Sequence, residues 1–590
     1  MSKKESGLKL LTRLFFRLLP AQIMLLVISA VNDIISSLFA SNYIGAEAMS
    51  AVGLYAPINT FILAVSLIFV SGSQILCGKY MGRNEIENTQ RIFSVNLLMV
   101  IGFSGITIAI LLLGSLTELT RILAPDAVVR EALNRYILGK LIGILPLLLG
   151  QQITAFLSLE NRTKIATIAS VVFMIINLAL NFLFVSVLKM GEFGLALAPS
   201  AGMWIFLAIE LQYYFSGKSM LKLSTTGVRI RDTWDIIKTG FPGAINNGYQ
   251  AVRGFIVNAL IIQFVGSVGL SAFAASDSVL QIIWRIPGGM LAVSRMLMSI
   301  SIGEEDRKSL ADVMRIALFK CVPLMACISA VLIALAVPLT RLFFRDPTDP
   351  VYEMTIMAFR ILPLCMPLSV ICMQFSCYAQ ASGKHLLIHL LSLLDGLVCV
   401  AGFSAILIRP MGINGVYVSN ICNGIICALV IVLYSWIVRK AFPRNIEQLM
   451  VIPDDFGVPE DARIDITVRN IDEVMTVSQQ VIDFCHRRGI DGRTAYFSGL
   501  FLEEMAANVV EHGFNKDNKS HSVDIRVVHK NDDVILRIKD DCIPFDPAER
   551  QEFTDPKDRA RGAGIRMVYK GAKDIKYQNI LGLNVLTIRL

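Results

Sequence analysis

Two residues four positions apart, Glu504 and Asn508, are the pair in this sequence best suited to chemistry. They lie in TAYFSGLFLEEMAANVVEHGF, which reads as a helix, and an i, i+4 spacing puts them on one face. An amide oxygen at Asn508 can ligate Mg²⁺, a hard cation that binds substrate phosphates. The Glu504 carboxylate, one turn away, can position or deprotonate an attacking group. Glu503 is the solvated neighbour, and His512 either reaches the same ligand or caps the helix. Further on, Gly562 and Gly564 open another helix, where glycine lets backbone N–H groups approach a phosphate. Arg559 and Arg561 stand beside them as phosphate holders or as surface charge. A second set of ionisable residues is embedded in apolar runs: Asp33, Glu210, Arg253, Asp277, Arg285, Arg295 and Asp395. Such groups are costly inside a bilayer and mark cation, proton or substrate paths. Asp33 either serves such a path or lies at the headgroup boundary. Asp277 and Arg285 are two turns apart and share a face, lining a cavity or pairing across helices. Glu210 and Arg295 are near span ends, where snorkelling is expected.

The elements that hold these residues divide into two regions. The chain has 590 residues, 54% of them hydrophobic, yet Asp, Glu, Lys and Arg crowd the stretch after Pro443. That pattern predicts a membrane domain followed by a water-soluble one. About a dozen runs are long enough to cross a bilayer core, the first near 17–41 and the last near 415–437. The N-terminal segment reads as basic residues followed by a retained first helix, not a cleaved signal. Lys and Arg cluster at the N-terminus, after the sixth span and after the twelfth, so those segments and both termini are expected in the cytoplasm of a plasma-membrane protein; Arg121, Arg130 and Arg135 fall on the other side. The net charge of +8 is spread through these segments, and clustered basic residues with interleaved aromatics are lacking, so no nucleic-acid partner is expected. Eleven cysteines, none in a CxxC pair, read as small buried hydrophobes.

Three features recur in the two halves. Gly45 returns as Gly266, Gly82 as Gly303 and Gly191 as Gly412, each pair separated by 221 positions. The repeat predicts two like six-helix bundles, residues 1–225 and 226–440, with a substrate cavity between them and alternating access by rocking. A linker over 441–456 leads to the soluble domain, 457–590. There, ARIDITVRN, SVDIRVVHK, DVILRIKDD and LNVLTIRL alternate as strands, the middle two joined at Asn531-Asp532. Three helical segments intervene, so the fold class is an all-α membrane bundle plus a C-terminal α+β sandwich with helices on one sheet face.

The segment SNYIGAEAMSAVGLYAPI with CGKYMGRNEIE, and MIINLALNFLFV with its following Met-Gly-x-x-Gly turn, resemble the multidrug and toxic compound extrusion (MATE) family over about residues 10–440. The resemblance implies a twelve-helix exporter that exchanges Na⁺ or H⁺ for a small organic solute. Family members carry an Asp where this chain has Ser36; Asp33, one turn earlier, is the carboxylate that could face the same cavity. The arginines of the second half suit a solute with some anionic character.

GLFLEEMAANVVEHGF, LRIKDDCIPFDP, GAGIRMV and GLNVLTI, in that order, resemble the GHKL nucleotide-binding fold, nearest to anti-sigma-factor-like ATPases and serine kinases. That resemblance implies ATP with Mg²⁺ on Asn508, Glu504 as base, Asp540 accepting from the adenine amino group with Asp541 as its competitor, and phosphate at Gly562 and Gly564. Cys542 and Pro544 replace the usual glycines, which leaves a weakened or structural site as an alternative. Whether the domain is an ATPase, a serine/threonine kinase or only a binder stays open. No GxxxxGK[ST] loop occurs, so transport is expected to run on an ion gradient. The leading expectation is an ion-coupled antiporter with a regulatory ATP-binding domain. The alternatives are a membrane-anchored kinase or partner switch acting on a cytosolic regulatory protein, and a lipid or glycan-intermediate flippase.

Overall fold

The protein is described from a computed structural model. It describes residues 5–39, 43–44, 46–117, 119–122, 126–223, 229–344, 346–514, 521–530, 533–548 and 563–590. Twelve long helices form the membrane region. In the first half they are α1 (Glu5–Phe39), α2 (Ala46–Gly82), α3 (Ile86–Leu116), α4 (Ala127–Leu159), α5 (Thr163–Val187) and α6 (Gly191–Phe215). The second half holds α7 (Ile230–Phe264), α8 (Ser267–Gly303), α9 (Arg307–Ala334), α10 (Pro350–Ser382), α11 (His385–Met411) and α12 (Ile413–Arg439).

Eleven of these contain a segment long and apolar enough to cross a membrane. The exception is α7, whose first half carries Asp232, Asp235 and Lys238 and whose middle carries Asn246, Asn247, Gln250 and Arg253. Both ends of the chain meet on one side, because Arg17 near the start of α1 donates to the carbonyl of Leu581 at 2.9 Å.

The repeat read from the sequence has a backbone counterpart. Gly191 and Gly412 both hold left-handed φ, +59° and +58°, at the turns into the last helix of each half. Gly266 has φ +85° at the start of α8, a conformation that favours glycine. α8 breaks at Trp284, three residues before Pro287, while α7 runs unbroken through Gly248.

The two halves touch most closely along α2. A Cβ at Gly72 would lie 2.1 Å from the carbonyl oxygen of Ile236, and one at Gly240 1.9 Å from that of Ile68. One at Gly82 would lie 2.3 Å from Ile300 O, and one at Gly303 2.1 Å from Lys79 O. These glycines let the backbones of α2, α7 and α8 meet with no side chain between them. The seam lies at the ends of α2 and α8 that face the C-terminal domain.

That domain has five antiparallel strands: β1 (Arg463–Val468), β2 (Val523–Lys530), β3 (Asp533–Asp540), β4 (Asp574–Ile580) and β5 (Leu583–Arg589). Their order is β1-β2-β3-β5-β4. Helices α13 (Ile471–Arg487), α14 (Gly492–Gly513) and α15 (Ala563–Gly571) cover one sheet face. Alternation supplies the core: Val523, Ile525, Val527, Leu536, Ile538 and Ile588 meet Val481, Phe501, Leu502 and Val568. Helix α13 starts on the Asn470 side-chain cap and is followed by Gly489 at φ +71°. The Asn531-Asp532 turn lies outside the described residues, although Lys530 pairs with Asp533 across it.

Candidate functional site

In the soluble domain, α14 carries Glu504 and Asn508 on one face. Asn508 Nδ2 donates to the Glu504 carbonyl at 2.7 Å and to Glu504 Oε1 at 3.2 Å, which holds the amide oxygen away from the carboxylate. The N-terminus of α15 abuts this pair: a Cβ at Gly564 would lie 1.9 Å from Glu504 Oε1. A side chain there would have to displace the Glu504 carboxylate. The opening turn of α15 also leaves orphan N–H groups beside an acidic side chain.

Asp540 ends β3 and is 5% exposed. Its Oδ1 accepts from the Cys542 backbone N–H at 3.0 Å and from Asn584 Nδ2 at 2.7 Å. Burial pushes this carboxyl above the ordinary aspartate range, and the bonds from Asn584 and Cys542 oppose that rise. Asn584, which sequence reasoning missed, also accepts from the Tyr577 hydroxyl at 2.9 Å and so fixes β4, β5 and the loop after β3 together. Its signal was only the position of an amide inside the closing strand. Asp541 points elsewhere: Oδ1 lies 2.9 Å from His521 Nδ1, and Oδ2 pairs with Arg13 Nη1 at 3.1 Å. The two adjacent aspartates thus separate into one held inside the domain and one turned toward α1.

Cys542 packs against α14, since a Cβ at Gly513 would lie 3.0 Å from its Sγ. A cysteine at this place is accommodated by a glycine on the helix opposite. His512 is exposed at the end of α14. Gly562, Arg559 and Arg561 lie outside the described residues.

In the membrane region, Asp395 occupies a π-helical turn, Leu394–Val398, within α11. Its Oδ1 accepts from Asn423 Nδ2 of α12 at 2.9 Å, and its backbone carbonyl accepts from Arg253 Nη1 of α7 at 3.0 Å. Gly396 permits the approach, as a Cβ there would lie 2.6 Å from Tyr249 Cβ on α7. The carboxylate of Asp395 and the sulfurs of Cys372 and Cys427 all lie within 4.8 Å of one another. Asn423, Cys372 and Cys427 were not foreseen as site residues; their contact crosses three helices.

Asp277 and Arg285 are not brought together. Asp277 Oδ2 accepts from Gln281 at 3.0 Å, the break at Trp284 separates the two turns, and Arg285 Nε is buried without a partner among the described residues. The snorkelling expected of Glu210 is overturned. It is 0% exposed, takes one hydrogen bond from Thr154 Oγ1 at 2.6 Å, and leaves Oε2 without a partner among the described residues. Distance from the span end misled here, because α6 turns this residue onto α4. Arg295 Nε is likewise buried rather than reaching the surface. Asp33 and Ser36 lie on α1, and their side chains are outside the described residues.

The MatE family profile matches residues 20–183 and 242–401, one block in each half. The chain belongs to the MatE family. A histidine kinase-like ATPase domain profile matches residues 468–590, which takes in β2 to β5 and the three helices but only the last residue of β1. MatE-type relatives include a protein named probable multidrug resistance protein NorM from Streptococcus pneumoniae R6, 24% identical over 260 residues, covering 43% of this chain and 56% of the relative. NorM of Vibrio parahaemolyticus is 22% identical over 213 residues, covering 34% of this chain and 46% of that protein. The alignments thus span about half the length of these relatives. Among solved structures, the outward-facing conformation of a multidrug resistance MATE family transporter superposes with TM-score 0.68 at 19% identity, covering 76% of this chain and 99% of that one. A transporter of Pyrococcus furiosus, described as having a binding pocket of reverse polarity, superposes with TM-score 0.67 at 19% identity, covering 75% and 98%. The MatE protein is therefore a multi-pass membrane protein with a MATE fold and an ATPase-type domain at its C-terminal end.

The described residues of the ATPase-type domain fit a nucleotide and its metal. The carboxylate and amide of Glu504 and Asn508 are oxygen donors of the kind Mg²⁺ takes, and glycine at 564 brings the opening turn of α15 against them.

Proposed function

We propose that this protein is a plasma-membrane antiporter that exports a small organic solute against an inward ion gradient, and that its C-terminal domain binds Mg-ATP in the cytoplasm and regulates it. The observation that carries the transport reading is the site around Asp395, a carboxylate in a π-turn that three helices of the second half converge on. π-Turns inside helices recur at functional sites. The site offers few oxygens for Na⁺, since its other close atoms are sulfurs, and this favours H⁺ as the coupling ion. Asp395 would take and release the proton while Asn423 and Arg253 hold the turn. Arg253, Arg285 and Arg295 give the second half a basic character that suits a solute with an anionic group. The reverse polarity described for the Pyrococcus furiosus pocket is a parallel for such a departure.

The basic segments favour placing the termini and the ATPase-type domain in the cytoplasm. In the domain, Asn508 would hold Mg²⁺, Asp540 would accept from the adenine amino group, and the N–H groups opening α15 would meet phosphate. The metal would neutralise phosphate charge; Glu504 would orient or deprotonate an attacking hydroxyl or water. The test is flux in proteoliposomes across an anionic and a cationic solute panel under an imposed pH gradient. Uptake should collapse in Asp395→Asn and be indifferent to a Na⁺ gradient. Flux that follows Na⁺, or survives Asp395→Asn, would sink the proton reading.

A further inference from the structure

The outer face of the soluble domain's sheet is studded with charge: Arg526, Lys530, Arg537 and Lys539. In the structure it is not open to solvent but pressed against the turns that end α2 and α8. These are the two turns that the repeat relates, at Gly82 and Gly303. From the second half, Glu304 pairs with Lys539 at 2.6 Å, Glu305 with Lys530, and Asp306 with Arg526. Glu304 and Asp306 are nearly fully buried, with 3% and 4% of their side chains exposed. Burial works against the Asp306 charge, but Arg526 and Lys539 outweigh it and hold the carboxyl far below its usual range. From the first half, the carbonyl of Met81 accepts from Gln578 Nε2 of β4 at 2.8 Å.

The β4–β5 hairpin reaches further into the first half. Its two turn residues, Leu581 and Gly582, have φ of +53° and +78°, the pattern of a type I′ turn. Leucine is an unusual choice there, and it is explained by burial: Leu581 is 1% exposed and packs in the same apolar cluster as α1 and α2. A Cβ at Gly582 would lie 2.3 Å from both Arg17 Nη2 and Asn161 Nδ2, so the turn is wedged between α1 and the α4–α5 connection. The linker is also docked, with Arg307 Nε on Glu447 at 2.8 Å and Lys384 Nζ on the Val451 carbonyl at 2.8 Å.

The geometry points to a clamp: the ATPase-type domain grips both halves at once, holds the glycine seam between α2 and α8 shut on its own side of the membrane, and communicates with its nucleotide pocket through Asp541 and Arg13. A rocking transporter must part this seam to open toward that side, and it cannot do so while one rigid sheet holds both turns. Asp541 adjoins the pocket aspartate, and its pairing with Arg13 ties the pocket wall to α1. The nucleotide part of this inference rests on the reading that the domain takes Mg-ATP; the mechanical part does not.

The test is hydrogen exchange on the full-length protein in detergent or nanodiscs, read over residues 79–86 and 300–307. Lys539→Glu breaks only a contact to the second half, and Gln578→Ala only one to the first. The clamp requires each to act on the half it does not touch: Lys539→Glu raises exchange at 79–86, and Gln578→Ala raises it at 300–307, by about ten-fold or more. Lys539→Arg keeps the native protection, which separates loss of charge from loss of fold. Effects confined to the touched half, or none, overturn the clamp. On the same samples, Mg-ATP should alter exchange at the start of α1 in the wild type but not in Asn508→Ala. If a fluorescent ATP analogue binds and exchange at α1 does not change, the link through Arg13 is wrong. If the analogue does not bind, the nucleotide reading falls while the cross-half result still decides the clamp.

Discussion

Substituting Gly303 by alanine should open the seam between the halves. The added Cβ would sit 2.1 Å from the Lys79 carbonyl oxygen, whereas ordinary contact begins at about 3.4 Å. Both partners are backbone, so no side chain can swing aside; the helices must part by roughly an ångström. Overpacking of this kind costs about 1–3 kcal/mol. Set against a closed seam, that is about a 5- to 150-fold shift toward the parted state. A probe is available at Ser299, 0% exposed and 2.1 Å from a Cβ built at Gly78. Alkylation of the thiol introduced by Ser299→Cys, followed by peptide mass spectrometry, reports seam opening. Buried Cys77, which faces the Thr89 carbonyl at 3.7 Å, is the internal reference. Gly254→Ala is the control, since a Cβ there meets nothing within 4 Å. The labelling rate should rise in Gly303→Ala and stay level in Gly254→Ala. Equal rates in the two would refute the reasoning, because the glycine would then not be what lets the halves close.

Asn508→Ala should abolish Mg²⁺-dependent ATP binding to the full-length protein, measured by titration with a fluorescent analogue, with no loss of thermal stability. The full chain is the right sample, since the domain alone would expose Leu581. Nucleotide affinity should also depend on pH through Asp540. Its carboxyl titrates above the ordinary value of about 3.9, chiefly from burial. The ionised form accepts from adenine, so affinity should fall as pH drops through the raised value, by about ten-fold per unit below it. For folding the sign is opposite: the raised pKa means the folded state gains protons first, so Asp540 itself favours folding as pH falls. Asp540→Asn should flatten the binding profile; a slope that persists in that variant would assign the titration to another group.

The membrane halves and the sandwich were legible because they rest on local pattern. Apolar runs separated by turns gave the helices, alternation gave every strand of the sheet except β4, and glycines recurring at one offset gave the repeat. The pair Glu504 and Asn508 was legible because helix spacing alone puts them together. What could not be read needs contacts between distant segments. Alternation marks Arg526, Arg537 and Lys539 as the polar face of a sheet, but it does not tell water from three acidic residues at the end of α8. Nor does the sequence show that Asp541, the neighbour of Asp540, pairs with Arg13, more than five hundred residues away in the chain. Glu210 misled because position along a helix was taken as depth in the bundle, when the face it occupies decides its burial.

The hairpin tip at Leu581 and Gly582 has a bearing on how the protein is made. Its receptor, Arg17 and Asn161, is made well before the tip, which arrives 564 positions after Arg17. During synthesis the membrane bundles can assemble while this receptor stands empty, so a nascent or truncated chain has a seam that nothing yet holds. The hairpin then acts as a seal applied only after both membrane bundles have been made. A cell that shortens this protein, by proteolysis or a premature stop, would produce a leak-prone bundle rather than a silent one.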